Sequence, residues 1–183
     1  RQRQMCIRDS GKLLRYSMKW VSGNVLVEQE LEYIKNYMAL INLRFDYEIY
    51  LSLNLPEIIL QQEIPKMSLQ PIVENAIYHG IEQMAEDTNI YIKGRVEGND
   101  CVIEITDAGR GMTEEEMAQL RQKIAGELDS SGGSGNGIGL KNVQDRIQIA
   151  FGGAYGIEVA SQIGCYTKII AVSYTHLTLP TIA

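Results

Sequence analysis

Three groups of residues in this chain have types and spacings that suit a flat, phosphorylated ligand. In the first, Asp107 closes an alternating apolar run, residues 101–106 (CVIEIT), and is followed by Gly109, Gly111 and Met112. The alternation predicts a β-strand. A carboxylate at its end can accept a hydrogen bond from an exocyclic amine such as adenine N6, and a bond to a charged group is worth roughly 1.5–3 kcal/mol. Two glycines one residue apart let backbone pass close to a planar ring. Taken alone, the segment fits a turn capped by Asp equally well.

The second group is residues 69–80 (LQPIVENAIYHG), with Asn75 in a helical pattern that Asn does not favour. Its side-chain carbonyl is a suitable oxygen ligand for Mg²⁺; the alternative is a core Asn bonded to backbone. The third is Gly135, Gly137 and Gly139, alternating around the start of a helix near Ile138. Exposed N–H groups and a helix N-terminus make an anion site suited to phosphates. A flexible linker explains residues 130–134 equally well, but not the abrupt return to Ile-Gly-Leu. The chain has no GxxxxGK[ST] motif, and neither glycine cluster satisfies GxGxxG.

These groups must be held by regular elements. Leu31, Ile34, Tyr37, Met38, Ile41 and Phe45 recur at helical spacing, predicting one amphipathic helix over residues 28–45. A shorter helical piece, residues 12–20, precedes it. Residues 47–53 alternate as a strand. Pro56 and Pro65 bracket a stretch that excludes a long helix. Ser68 is placed to cap a helix over residues 69–84, with Pro71 in its first turn. Residues 89–96 and 101–106 form a hairpin turning at residues 98–100. Thr113, followed by Glu114, Glu115 and Glu116, opens another helix. Residues 129–137 (DSSGGSGNG) are too polar and glycine-rich to pack. A helix over 138–151 and strands over 157–160 and 166–172 complete the chain, which has no internal repeat.

Bulk composition narrows the classes. The 183 residues, 45% hydrophobic and 22% charged, suffice for one full domain plus an appendage. The net charge of −6 and the lack of a Lys/Arg stripe disfavour nucleic acid. No apolar run reaches the roughly 18–20 residues needed to span a bilayer. Cys6, Cys101 and Cys165 lack ligand spacing and read as reduced structural thiols in a cytosolic compartment. Residues 1–10 and 173–183 fit no interior pattern and read as non-native ends; His176, in the second, is given no role.

The order LQPIVENAIYHG, DAGRGM, GNGIGLKN resembles the N, G1 and G2 boxes of the ATPase superfamily shared by histidine kinases, gyrase and large heat-shock chaperones. The flanks ELEYIKNYMALINLRF and GIGLKNVQDRIQIAFGG resemble LytS-like sensor histidine kinases. The resemblance spans residues 11–172. It implies an α/β (α+β) two-layer sandwich, a mixed sheet backed by helices, with ATP between the sheet and a mobile lid. It divides the chain into the end of a dimerisation and phosphoacceptor region with its linking helix (11–55) and an ATP-binding catalytic domain (56–172). By motif, Asn75 coordinates Mg²⁺ and Asp107 bonds the adenine amine. Gly109 and Gly111 admit the base beside Met112. Gly135, Gly137 and Gly139 line the phosphates, and Leu140 and Asn142 belong to the same box. Thr167 supports Asp107 or its bridging water, and His79 borders the nucleotide. The lid is the acidic helix from Thr113 with residues 129–134.

The sequence departs from that pattern in places. Tyr78 stands where the family often has Lys three residues after the Mg²⁺-binding Asn, leaving Lys141 or Arg146 as possible replacement cations. Pro71 occupies the position of the catalytic Glu of the gyrase and chaperone branches, so Glu74, beside Asn75, is the candidate for orienting or activating a group. The closing strand reads Gly164-Cys165-Tyr166-Thr167 rather than Gly-x-Gly-Thr. The chain holds only His79 and His176, neither in a phosphoacceptor setting.

The resemblance therefore implies the ATP-binding catalytic region of a two-component histidine kinase whose target histidine lies upstream. It implies ATP and Mg²⁺ as cofactors, a homodimer, a cognate response regulator, and a cytoplasmic position in a bacterial plasma-membrane protein anchored by upstream segments. An isolated region of this kind does not phosphorylate itself. Two other readings remain: an anti-sigma-type serine kinase, which NAIYHG fits and Pro71 opposes, and a non-catalytic, nucleotide-regulated dimerisation module.

Overall fold

The computed structural model describes residues 23–81, 86–127 and 138–174. The helical piece expected at residues 12–20, the glycine-rich stretch 129–137 and both expected non-native ends, except Ser173 and Tyr174, lie outside these.

Five strands form a mixed sheet in the order β2-β4-β5-β7-β6, and helices cover one face. The chain enters through a short β1 (Asn24–Leu26), which pairs antiparallel with β3 (Glu63–Pro65). Between them lie α1 (Val27–Ile41), β2 (Ile49–Asn54) and one helical turn, α2 (Glu57–Leu60). Next comes α3 (Gln70–Asn75), which widens into a π-helical turn over Ala76–Ile81. β4 (Thr88–Glu97) and β5 (Asp100–Asp107) make the central hairpin. After α4 (Glu114–Ala125) and α5 (Ile138–Phe151), β6 (Gly156–Gln162) and β7 (Tyr166–Tyr174) return to the sheet. β2 runs parallel to β4; every other neighbouring pair is antiparallel.

Alternation along the strands sorts the two faces. Ile90 and Ile92 of β4 are fully buried, whereas Tyr91, Lys93 and Arg95 face out. The outward charges pair across strands: Arg95 with Glu104, and Lys168 with Glu104 at 3.5 Å. Inward residues meet Ile34 of α1, Ile72 of α3, Ile77 of the π turn and Leu140 and Val143 of α5 in one core. That core and the sheet run across residues 55 and 56, where the resemblance separates a linking region from the catalytic domain: β2 lies before that point and pairs with β4.

Three local departures from the sequence pattern have physical reasons. The periodicity predicts α1 to residue 45, but it stops at Ile41 because the Asn42 side chain turns away. Its Nδ2 donates to the Ile49 carbonyl (3.0 Å) and its Oδ1 accepts the Ile49 N–H (3.1 Å), fixing the start of β2. Phe45, left outside the helix, stacks on Tyr47. Ser68 does not cap α3; its hydroxyl donates to the Pro65 carbonyl at 2.6 Å. The capping group comes from α1: buried Glu30 accepts the N–H groups of Met67 (2.6 Å) and Leu69 (3.2 Å). Met67 sits at φ 61, a costly conformation for a residue with a Cβ, where its N–H meets that carboxylate. Finally, β7 continues through buried Ser173 to Tyr174, two residues past the predicted end, pairing with Cys101 and Asp100.

The edge strand β6 is closed by side chains. Gln144 Oε1 accepts the Ile157 N–H (2.6 Å), and Arg121 Nη2 donates to the Val159 carbonyl (2.9 Å).

Glu30→Ala removes the acceptor from two N–H groups and should destabilise the fold by about 2–4 kcal/mol, since bonds to charged groups and the desolvation of orphaned donors both count. Glu28→Ala, on the exposed side of α1, should change stability by less than about 0.5 kcal/mol. Urea denaturation followed by circular dichroism measures both.

Candidate functional site

The site begins at the end of β5. Asp107 is its last residue, and its side chain is buried, 2% exposed. Oδ1 accepts the Gly109 N–H at 3.0 Å. Burial pushes the Asp107 carboxyl up to about 6; N–H groups of Gly109, Thr167 and Asp107 itself pull the other way but do not overcome it. The carboxylate can be this deep because two glycines make room. A Cβ on Gly80 would stand 2.8 Å from Asp107 Cγ, and one on Gly109 would stand 2.5 Å from the Gly80 carbonyl carbon. The π turn brings Gly80 into this contact.

The next residues tie the loop down. Arg110 N–H bonds the Gly80 carbonyl (3.1 Å) and Arg110 Nε bonds the His79 carbonyl (3.3 Å), satisfying acceptors at the helix end. Arg110 also pairs with Glu116 at 3.0 Å. The Thr113 N–H and this arginine hold the Glu116 carboxyl below its ordinary value. Gly111 has φ +65, and a Cβ there would lie 2.6 Å from the Gln162 carbonyl carbon, so only glycine fits. The lost second glycine of the closing motif does not disturb the turn: Gly164 N–H reaches the Arg110 carbonyl at 2.6 Å, and Cys165 N–H reaches the Gln162 carbonyl at 3.0 Å.

Ser161 joins this loop to β7. Its hydroxyl donates to the Tyr166 carbonyl (2.8 Å) and accepts the Met112 N–H (2.8 Å). Its single proton is thereby used, so the 3.2 Å contact with Thr167 Oγ1 has Thr167 as donor. The Thr167 hydroxyl then offers only lone pairs to the cavity, and its direct support of Asp107 comes through its backbone N–H.

Asp107 and Thr167 form the floor of a cavity walled by Asn75, His79, Gly80 and Met112 on one side and by α4 on the other. A smaller recess adjoins it, lined by Glu74, Tyr78, Gly139 and Leu140, and Asn75 and His79 border both. Asn75 makes no side-chain hydrogen bond among the described residues, so it is not the backbone-bonded core Asn of the alternative reading. One Glu74 oxygen accepts from Gln70 Nε2 at 2.7 Å. Tyr78 bonds the Tyr37 hydroxyl of α1 at 3.3 Å, and burial raises the Tyr37 phenol well above its usual range.

The predicted site residues are therefore mostly brought together. Asn75, His79, Asp107, Met112 and Thr167 share the main cavity, and Glu74, Gly139 and Leu140 lie at the recess. Gly109 and Gly111 act on the loop behind it. Asn142 is exposed on α5 and lines neither space. Gly135 and Gly137 lie outside the described residues. The candidate replacement cations are engaged elsewhere: Lys141 pairs with Asp145 at 2.7 Å, and Arg146 donates to the carbonyls of Lys66 and Met67. The α4 part of the expected lid is a seated wall, anchored by buried Leu120 and Ile124. Sequence reasoning missed Gly80, Gln119 and Lys123. The i, i+3, i+7 spacing of Glu116, Gln119 and Lys123 marks one face of α4 but does not say what it faces.

No group of three metal-ligating side chains occurs among the described residues, and none of their helices is long and apolar enough to cross a membrane. A magnesium ion here would draw on few protein oxygens, as it does when phosphates supply the rest; the unengaged Asn75 carbonyl on the cavity wall fits that demand.

A mixed five-stranded sheet with helices on one face, and a buried acid flooring a cavity between them, define an ATPase-type α/β sandwich. The chain belongs to the histidine kinase-, DNA gyrase B- and HSP90-like ATPase family, whose profile matches residues 65–178. It is 32% identical over 155 residues to the sensor histidine kinase BtsS of Escherichia coli K12, covering 85% of this chain and 25% of that protein. It is 30% identical over 164 residues to the sensor histidine kinase YesM of Bacillus subtilis, covering 90% and 26%. The chain thus spans about a quarter of the length of these curated relatives. Among solved structures, the catalytic domain of histidine kinase ThkA superposes with a TM-score of 0.60 at 12% identity, covering 85% of this chain and 97% of that one. Acinetobacter baumannii AdeS superposes at 0.58 and 14%, covering 93% and 76%. At these identities the structural likeness shows the fold.

The raised carboxyl of Asp107 has a consequence for stability. Its ordinary value is 3.8 and its folded value about 6, so between these pH values the folded protein holds a proton that the unfolded chain releases. The group favours the fold below about pH 4, and this contribution is lost as pH rises through about 6, a change of roughly 3 kcal/mol at 1.36 kcal/mol per unit. Asp107→Asn should remove this slope and leave the protein at least as stable as wild type at pH 7.5. Denaturant titrations at pH 4.5, 6 and 7.5 read it.

Proposed function

We propose that this chain is the ATP-binding catalytic region of a two-component sensor histidine kinase of the LytS-like branch, delivering the ATP γ-phosphoryl group to a histidine. The observation that carries the reading is the buried, solvent-shielded carboxylate of Asp107, at the floor of a cavity whose backbone has been cleared of side chains at Gly80 and Gly109. A group destabilised when ionised and unbound is one that gains most from a donor such as the adenine amine.

In this reading Asp107 accepts the amine. A water that donates one proton to Asp107 and the other to the lone pairs of Thr167 would present only its own lone pairs to the ring, as an acceptor. Met112 packs beside the base, with Gly109 and Gly111 allowing the close approach. Asn75 holds Mg²⁺, which when bound neutralises phosphate charge. Gly135, Gly137 and Gly139 offer N–H groups to the phosphates, with Leu140 and Asn142 shaping that segment and His79 bordering the nucleotide. Glu74, one oxygen of which is held by Gln70, orients or activates the receiving group. Phosphoryl transfer needs little more than such positioning and charge neutralisation. Neither His79 nor His176 is proposed as the acceptor, since His79 borders the nucleotide. In the intact protein the region would work in a homodimer, pass phosphate to a cognate response regulator, and lie on the cytoplasmic side of a membrane.

Asp107→Asn should weaken ATP binding by about tenfold or more, while Asp100→Asn, at the far end of the same strand, should leave it within about twofold. Equal effects by calorimetry would remove the adenine role. Wild-type affinity should also fall as pH drops below about 6, where Asp107 takes up its proton. Transfer of labelled phosphate to a supplied phosphoacceptor fragment supports the kinase; tight ATP binding with no transfer to any such fragment supports a regulatory module instead.

A further inference from the structure

A nucleotide triphosphate brings several negative charges into a chain whose own net charge is −6. Mg²⁺ and backbone N–H groups would meet part of that charge, and a protein cation at the cavity would meet more. The described cations nearby are mostly engaged. Arg110 is held by Glu116 and the His79 carbonyl, Arg121 by the Val159 carbonyl, Lys141 by Asp145, and Arg146 by two backbone carbonyls.

Lys123 differs. It is half-buried on α4 and lines the main cavity together with Asn75 and Asp107. Among the described residues its ammonium has no carboxylate or carbonyl partner. Its place in the last turn of α4 gives it a mild attraction to the helix carbonyl end, of about 0.3–1 kcal/mol. That attraction does not explain which way it faces. Leu120 and Ile124 seat α4 in the core, and this fixes the stripe of Glu116, Gln119 and Lys123 toward the cavity. Glu116 is already neutralised by Arg110, so the stripe presents a net positive charge at Lys123. A flexible ammonium with three donors suits a phosphate whose exact oxygen it need not match.

We propose that Lys123 is the phosphate-binding cation of this site, contacting the β- or γ-phosphate and not the base. The inference rests on the ATP-binding reading above and names a residue that reading does not use. Its signature is selectivity by phosphate count. Lys123→Met keeps the aliphatic stem and the packing of α4, so its melting temperature should match wild type.

The test is calorimetry of wild type, Lys123→Met and Lys123→Arg against adenosine, AMP, ADP and ATP, each with Mg²⁺. Lys123→Met should lose about tenfold or more for ATP and ADP while adenosine stays within about twofold, and Lys123→Arg should retain most of the ATP affinity. Equal losses for adenosine and ATP, or no loss for ATP, overturn the assignment of Lys123 alone. A wild-type protein that binds none of the four overturns the ATP-binding reading and this inference with it. Asp107→Asn, which should lose adenosine and ATP alike, separates base recognition from phosphate recognition.

Discussion

The structure depends most on the burial of one carboxylate where the sheet meets the helix layer. Asp107 ends a central strand, flanked in register by β4 on one side and Thr167 of β7 on the other. Its depth requires that no side chain stand between β5 and the π turn, and Gly80 and Gly109 meet that requirement from opposite sides. The widened turn, the Arg110 bonds to the carbonyls of His79 and Gly80, and the left-handed Gly111 all follow from holding backbone against backbone at this point. The same closeness leaves the carboxylate poorly solvated, which raises its proton affinity. The fold is thus least comfortable at the floor of its cavity.

A second constraint acts from the other side of the cavity. α1 holds the helix that carries Asn75 at three points spaced as one helical face. Glu30 caps its start, Tyr33 meets Gln70, and Tyr37 meets Tyr78 in the π turn. Gln70 in turn holds Glu74. Each contact is polar and directional within an otherwise apolar interface, so α1 sets where α3 lies along its axis as well as how far away. Asn75 and His79 stand at the junction of the two cavity spaces because of that placement.

Much of this was legible in the sequence, for identifiable reasons. Strands β4 and β7 alternate cleanly because one face is wet and the other buried, β5 does so except at Val102, which is buried as well, and the Thr113–Glu116 capping box forms as written. Asp107, Asn75, His79, Met112 and Thr167 converge as their motifs imply. What the sequence hid was tertiary. Ser68 looks like a cap, but a carboxylate from residue 30 takes its place. The helical pattern of α1 runs on through Phe45, but Asn42 bonds a distant strand. Gly80 reads as the end of a helix until Asp107 is seen beneath it. Lys123 is one charge among many on a polar helix until Leu120 and Ile124 settle which face is inward.

The side chains on β6 have a wider consequence. An edge strand ordinarily offers a row of free N–H and C=O groups that any passing strand can read. Here Gln144 and Arg121, from two different helices, occupy the groups of Ile157 and Val159 in the middle of that row. The sheet is in effect finished by side chains of its own helices, so it cannot be extended at these two groups without first breaking those side-chain bonds. This edge of the sheet is thereby protected from adhering to another chain backbone to backbone.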